Sequence, residues 1–184
     1  MANKVKFGLK KLYYAPITVS TGGVESYGSP VAMPGAVSIS LSPQGDETIF
    51  YADDSAFWRS VANQGYSGDL EVALIPDSFK TSCLGYATDA TTGITYEDAD
   101  AEPGRFALLF EVNGDDAATR YAFYDCTASR PATNGQTVEA SKTPNTETIT
   151  ITAIPNENGI VKGYAAYGAT KYADWFTAVQ LPTI

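Results

Sequence analysis

Apolar and polar residues alternate with a period of two through most of this chain, and that period belongs to β-strands. From Ala36 to Ser42, Val37, Ile39 and Leu41 alternate with Ala36, Ser38, Ser40 and Ser42. Asp69–Ile75 sets Leu70, Val72 and Leu74 on one face, and Glu147–Ile154 alternates Thr148, Thr150 and Thr152 with Ile149 and Ile151. Arg105–Val112 gathers Phe106, Leu108, Phe110 and Val112, while Ala107 and Leu109 make its second face partly apolar too. In Thr119–Thr127, Tyr121 and Phe123 oppose Ala122, Tyr124 and Cys126. Val5–Tyr14, Thr48–Ala52, Gly93–Glu97 and Gly159–Tyr167 are further strand candidates.

Asn113-Gly114-Asp115 separates two of these strands, and Asn and Gly accept the positive φ of a tight reversal, so Arg105–Thr127 is predicted to be a β-hairpin. About eight or nine short strands divided by Gly, Pro, Asn and Ser clusters predict a mainly β sandwich or barrel. Two stretches carry helical signals. Asp77 is placed to N-cap Ser78–Leu84, with Gly85 to end it; Thr170 is placed to cap Lys171–Val179, where Tyr172, Phe176 and Val179 share a face. Residues 15–35 and Asp53–Gly68 are read as long irregular segments, the second holding Phe57 and Trp58. No repeat or linker interrupts the chain, so a single domain over residues 1–184 is expected.

A domain of this length buries roughly 70% of its unfolded surface and needs no disulfide scaffold. Cys83 and Cys126 lie in apolar segments without metal-ligand spacing and are expected as buried, reduced thiols. The N-terminus shows no signal-peptide pattern, and no apolar run of about 20 residues offers a membrane span, so a soluble cytoplasmic product is expected. Histidine is absent. That removes the His-based nucleophile relays and the usual general base near neutral pH.

Charge is distributed unevenly. Lys4, Lys6, Lys10 and Lys11 fall in the first eleven residues, where there is no acid. The other eight basic residues face all 21 acids, leaving −13 on the remainder. Such a body repels phosphate backbones, so ordinary nucleic-acid binding is disfavoured. The basic N-terminus is suited instead to an acidic protein surface, most simply that of another copy.

Glu97, Asp98, Asp100 and Glu102 crowd six positions, but the spacing lacks the glycine and closing glutamate of a calcium loop. A solvated acidic loop is expected, with no metal and no cofactor. Asp53-Asp54 and Asp69/Glu71 are the pairs that a two-carboxylate glycosidase would use, although alternating acids on strands ordinarily face water. Phe50 and Tyr51 suit a core as well as an interface. Phe57 and Trp58, beside Asp53, Asp54 and Arg59, suit an interface anchor, and the same aromatics also suit stacking on sugar rings.

Several segments, in order, carry a family likeness: F-G-L-K-K-L-Y-Y-A near the start, P-G-A-V-S-I-S-L (Pro34–Leu41), F-Y-A-D-D (Phe50–Asp54), G-Y-S-G-D-L-E-V-A-L-I-P-D-S-F-K-T-S-C-L-G (Gly65–Gly85), R-F-A-L-L-F-E-V-N-G-D (Arg105–Asp115), R-Y-A-F-Y-D-C-T-A-S-R-P (Arg120–Pro131) and W-F-T-A-V-Q-L-P near the end. With this order and spacing the chain resembles the major tail proteins of long-tailed bacteriophages. The resemblance implies a tail-tube fold of two packed antiparallel sheets with one short α-helix and long loops. It also implies hexameric rings stacked into a tube, with tape-measure and tail-terminator proteins as further partners and DNA passing through the lumen unbound. The product would be a structural virion protein made in the host cytoplasm, with no enzymatic activity. The lysines at 4, 6, 10 and 11, with Phe57 and Trp58, are the expected assembly contacts. A carbohydrate-binding β-sandwich module is the rival reading.

Overall fold

The computed structural model describes residues 3–137 and 144–183. In chain order its elements are β1 (Lys6–Val19), β2 (Glu25–Tyr27), β3 (Val31–Ala32), β4 (Ala36–Gln44), β5 (Glu47–Ala52), β6 (Ser55–Val61), β7 (Gly65–Val72), α1 (Asp77–Cys83), β8 (Tyr86–Thr88), β9 (Thr95–Glu97), β10 (Phe106–Gly114), β11 (Thr119–Ala128), β12 (Glu147–Ala153) and β13 (Lys162–Ala165). The fold is mainly β, with one helix among the described residues.

Nine strands form one antiparallel sheet in the order β2-β1-β10-β11-β12-β7-β4, with β13 beside β11 and β3 beside β1. β5–β6 and β8–β9 are separate hairpins, and no barrel closes among the described residues. The sheet divides at β11, whose first half pairs with β13 and whose last residues, Cys126–Ala128, pair with β12. One core cluster takes Leu70, Val72, Ile149 and Ile151 from β7 and β12, and Tyr14, Phe106, Leu108 and Phe123 from β1, β10 and β11. The two wings therefore face each other as a sandwich. α1 closes one end, its Phe79 ring set edge-on to Tyr14 and Phe106.

A second cluster lies on the opposite face of β1, β10 and β11. Ala107, Leu109, Ala122 and Tyr124 are covered there by Trp175, Tyr172, Phe176 and Val179. The double-sided apolar pattern of Arg105–Val112 is the sequence trace of this arrangement, since a strand buried on both faces loses its polar alternation.

Five expectations need correction. Asp77 does not cap α1: Pro76, at φ −61° and ψ 142°, is the N-cap residue, and Asp77 is the first helical position, paired with Lys80 at 3.0 Å. The fixed φ of proline sets the entry, and the helix runs one residue earlier than Ser78–Leu84. Lys171–Val179 is not a helix but a chain of turns. The Tyr172 carbonyl is taken by the Arg120 guanidinium, and the Trp175 indole donates to the Tyr121 carbonyl at 3.2 Å, so tertiary partners replace the helical ladder.

Residues 15–35 are not irregular throughout. β1 runs through Pro16, because Ile17 N–H reaches the Arg105 carbonyl and the Pro16 carbonyl accepts from Gly28 N–H, each at 2.8 Å. Nor is Asp53–Gly68 a loop. Asp53 and Asp54 turn and residues 62–64 are irregular, but β6 places Phe57 and Trp58 on a strand. Along β7 the ladder ends at Val72, so Leu74 leaves the core face and is exposed.

Candidate assembly surface

The local sequence makes β5 and β6 a projecting arm. Ala52 pairs with Ser55, and the two residues between them, Asp53 and Asp54, have φ of 50° and 57°. That is the two-residue reversal with both central residues left-handed, which Asp tolerates better than most side chains. At its root the arm continues the β4–β7 ladder, with Gln64 N–H to the Gln44 carbonyl at 2.9 Å and Ala62 N–H to the Asp46 carbonyl at 3.0 Å. A Cβ on Gly45 would run into the Ala62 carbonyl, and one on Gly65, at φ 112°, into the Ala153 carbonyl. Close backbone approach thus requires glycine on both strands of the root.

No residue of the arm joins either core cluster. Its aromatics lie in solvent: Phe50 is 58% exposed, Tyr51 66%, Phe57 70% and Trp58 55%. Arg59 is held diagonally by Glu47, its Nη2 donating to Oε2 at 2.8 Å. Four bulky rings on an unsupported hairpin are costly to leave wet, since burying each is worth about 2 kcal/mol.

The basic N-terminal segment is partly tied to its own chain. Lys4 N–H donates to Asp115 Oδ1 at 2.8 Å, and Asn3 bonds the same loop through Ala117. Lys6 Nζ donates to the Tyr121 hydroxyl at 2.9 Å. Lys10 is exposed on β1. Lys11 reaches buried Glu111 at 3.2 Å and stands 5.9 Å from the Phe176 ring centroid. Arg120 joins this group, its Nε 2.9 Å from Glu111 and its guanidinium 3.8 Å from the Tyr172 ring centroid. Burial pushes the Glu111 carboxyl upward, but the hydrogen bonds from Arg120 and Lys11 outweigh it and hold the group below its ordinary value. Lys4 thus precedes β1 while Lys6, Lys10 and Lys11 lie along it, with Lys11 bound to Glu111 of its own chain.

A second surface emerges from register. Opposite the core, the strands β4, β7 and β12 present Ser38, Ser40 and Ser42, then Ser67, Asp69 and Glu71, then Thr148, Thr150 and Thr152. All nine are hydroxyl or carboxylate residues. Thr150 donates to Asp69 at 2.9 Å, and Thr146 and Ser38 donate to Glu71 at 2.6 and 3.0 Å, which lowers the Glu71 carboxyl from its ordinary value. The Asp69/Glu71 pair thus sits on an open sheet face. Alternation in the sequence marked each strand separately, but their alignment into one polar face depends on pairing between distant segments.

Two acids of the run at 97–102 are engaged by their own chain. Glu97 pairs with Arg130 at 2.6 Å, and Asp98 Oδ1 accepts from Asp100 N–H at 3.0 Å. Among the described residues no three His, Cys, Asp or Glu side chains are grouped to hold a metal ion. Cys83 and Cys126 are buried and free, and burial pushes the Cys83 thiol up to about 12. No helix of the described residues is long and apolar enough to cross a membrane.

The chain is thus a β-sandwich with an exposed aromatic arm and a broad polar sheet face. The sequence profile of phage tail tube proteins matches residues 19–177 of the 184, and the chain belongs to the phage tail tube protein family. It is a structural protein of the virion tail that self-assembles into a tube. No curated protein sequence matches it.

Proposed function

We propose that this chain is the major tail subunit, forming stacked hexameric rings whose channel delivers the phage DNA. The nine-residue face of β4, β7 and β12 carries the reading. A lumen must let DNA slide without holding it, and a surface of hydroxyls and carboxylates with no base offers phosphate no counterion-release binding. This face is assigned to the channel. β2 and β4 end the sheet path with one edge unpaired, and ring closure would cover such edges with neighbouring copies. The arm with Phe57 and Trp58, and the exposed lysines of the N-terminal strand, are assigned to contacts between copies. Tape-measure and tail-terminator proteins are the expected further partners.

The test reverses charge on the face. Asp69→Lys with Glu71→Lys is expected to leave a folded subunit that still assembles, but whose tubes retain DNA at low salt and release it as salt rises. Reversed tubes that ignore DNA under all salt conditions would place the face outside the channel.

A further inference from the structure

The sandwich is open at the end away from α1. There Ile39, Leu41 and Tyr66 of one wing face Phe110, Tyr121 and Phe123 of the other across a cleft of about 220 Å³. An apolar cavity of roughly 150 Å³ holds a benzene ring, so the cleft has room for an aromatic side chain. Two lysines rim it. Lys6 donates to the Tyr121 hydroxyl, and Lys162 donates to the Tyr66 hydroxyl, each at 2.9 Å, with the Lys162 ammonium 4.4 Å from the Tyr66 ring centroid. Among the described residues neither lysine has a carboxylate within ion-pair distance. In a chain of net charge −9 this basic rim is an exception.

The arm is its complement in both respects. It carries exposed aromatic rings on its strands and two carboxylates, Asp53 and Asp54, at its tip. It cannot serve its own cleft without breaking the root, because the continuous ladder through Gln44 and Gln64 holds it outward. Its six-residue strand β5 reaches roughly 20 Å beyond the root.

We propose that the β5–β6 arm of one copy seats in the open cleft of a second copy. Phe57, the most exposed ring of the arm, enters the cleft, and the tip carboxylates meet Lys6 and Lys162. The two surfaces are unlike, so the contact is head-to-tail and closes into a ring when the rotation between copies closes. Arm root and cleft lie at the same end of the subunit, which suits neighbours standing side by side. This inference rests on the reading of the chain as a tube subunit and adds where on the neighbour the arm lands.

The experiment mixes full-length protein of natural and ¹⁵N isotope content, assembles it, and couples touching carboxylates to amines with a zero-length carbodiimide. Isotopically mixed peptides joining Asp53 or Asp54 to Lys6 or Lys162 are expected. In parallel, Lys6→Glu with Lys162→Glu should slow assembly about tenfold, and adding Asp53→Lys with Asp54→Lys should restore it. Circular dichroism confirms that each variant folds. Tubes that form without these mixed peptides, or folded charge swaps that do not rescue, would overturn the proposal while leaving the tube reading intact. Protein that stays monomeric would overturn both. Glycan binding lost with Lys162→Glu, with no mixed peptide in the assembled protein, would give the cleft to a sugar instead.

Discussion

Phe50 stands directly across from Trp58 on the projecting arm, and both rings are more than half exposed. Such cross-strand aromatic pairs stabilise a hairpin by up to about 1 kcal/mol, but here the pair also presents its outer faces to solvent. An isolated two-stranded hairpin is marginal in water, so the proposed contact with another copy would add to the stability of the arm.

Changing Phe57 and Trp58 together to Ser should therefore leave folding of the body untouched and abolish assembly. Surface changes of this kind shift stability by about 0.5 kcal/mol or less. Thermal unfolding should match wild type while sedimentation shows monomer only. A variant that aggregates or melts early would return these rings to the core.

The N-terminal lysines call for separate treatment, because Lys11 is bound to Glu111 within its own chain. Lys4, Lys6 and Lys10 changed together to Gln should slow tube formation and reduce its salt sensitivity, with DNA affinity negligible before and after. Each exposed pair contributes only about 0.2–1 kcal/mol, so single changes should do little. Tight DNA binding by wild type at physiological salt, lost in the triple variant, would contradict this assignment.

Acid should loosen the C-terminal segment first. The folded Glu111 carboxyl is held below its ordinary value: the upward push of burial is outweighed by Arg120 and Lys11. Its stabilisation is thus fully present above the unfolded value and is lost as pH falls through the lower folded value, a window beginning below about pH 4.5. Arg120, which also grips the Tyr172 carbonyl, then loses its counter-charge. Glu111→Ala should cost about 3 kcal/mol near neutral pH, and the Glu111→Gln variant should show a flatter loss of stability with acid. Denaturant titrations at several pH values would show it; parallel pH profiles for Gln and wild type would contradict the account.

Both thiols should be silent to Ellman's reagent in the native protein and react fully in denaturant. Cys83 and Cys126 are buried in one apolar cluster, and burial raises both thiols. Fast labelling of either in the folded state would show that the α1 end of the sandwich opens.

Much of this was legible in the chain. Strands buried on one face, such as β7 and β12, announce themselves through period two, and the partly apolar second face of β10 is legible although the cluster that covers it is not. The arm differs from the expected loop because its turn uses Asp53-Asp54 in place of glycine, while Asn63-Gln64-Gly65, inside the same segment, forms its root. The turns at 171–179 differ from the expected helix because helical spacing of Tyr172, Phe176 and Val179 also suits a segment draped over β1 and β10. Neither the polar face nor the cleft was visible, since each joins strands that lie far apart in sequence. Lys162 beside Tyr66 is such a case.

Electron microscopy of the purified full-length protein tests the central claim most directly. Tubes built of stacked rings, six subunits to a ring in averaged end views, with the Asp69 and Glu71 face lining an open channel, are the expected result. Protein that stays monomeric at every concentration, or tubes whose lumen is lined by the Lys6 and Lys162 rim, would contradict it.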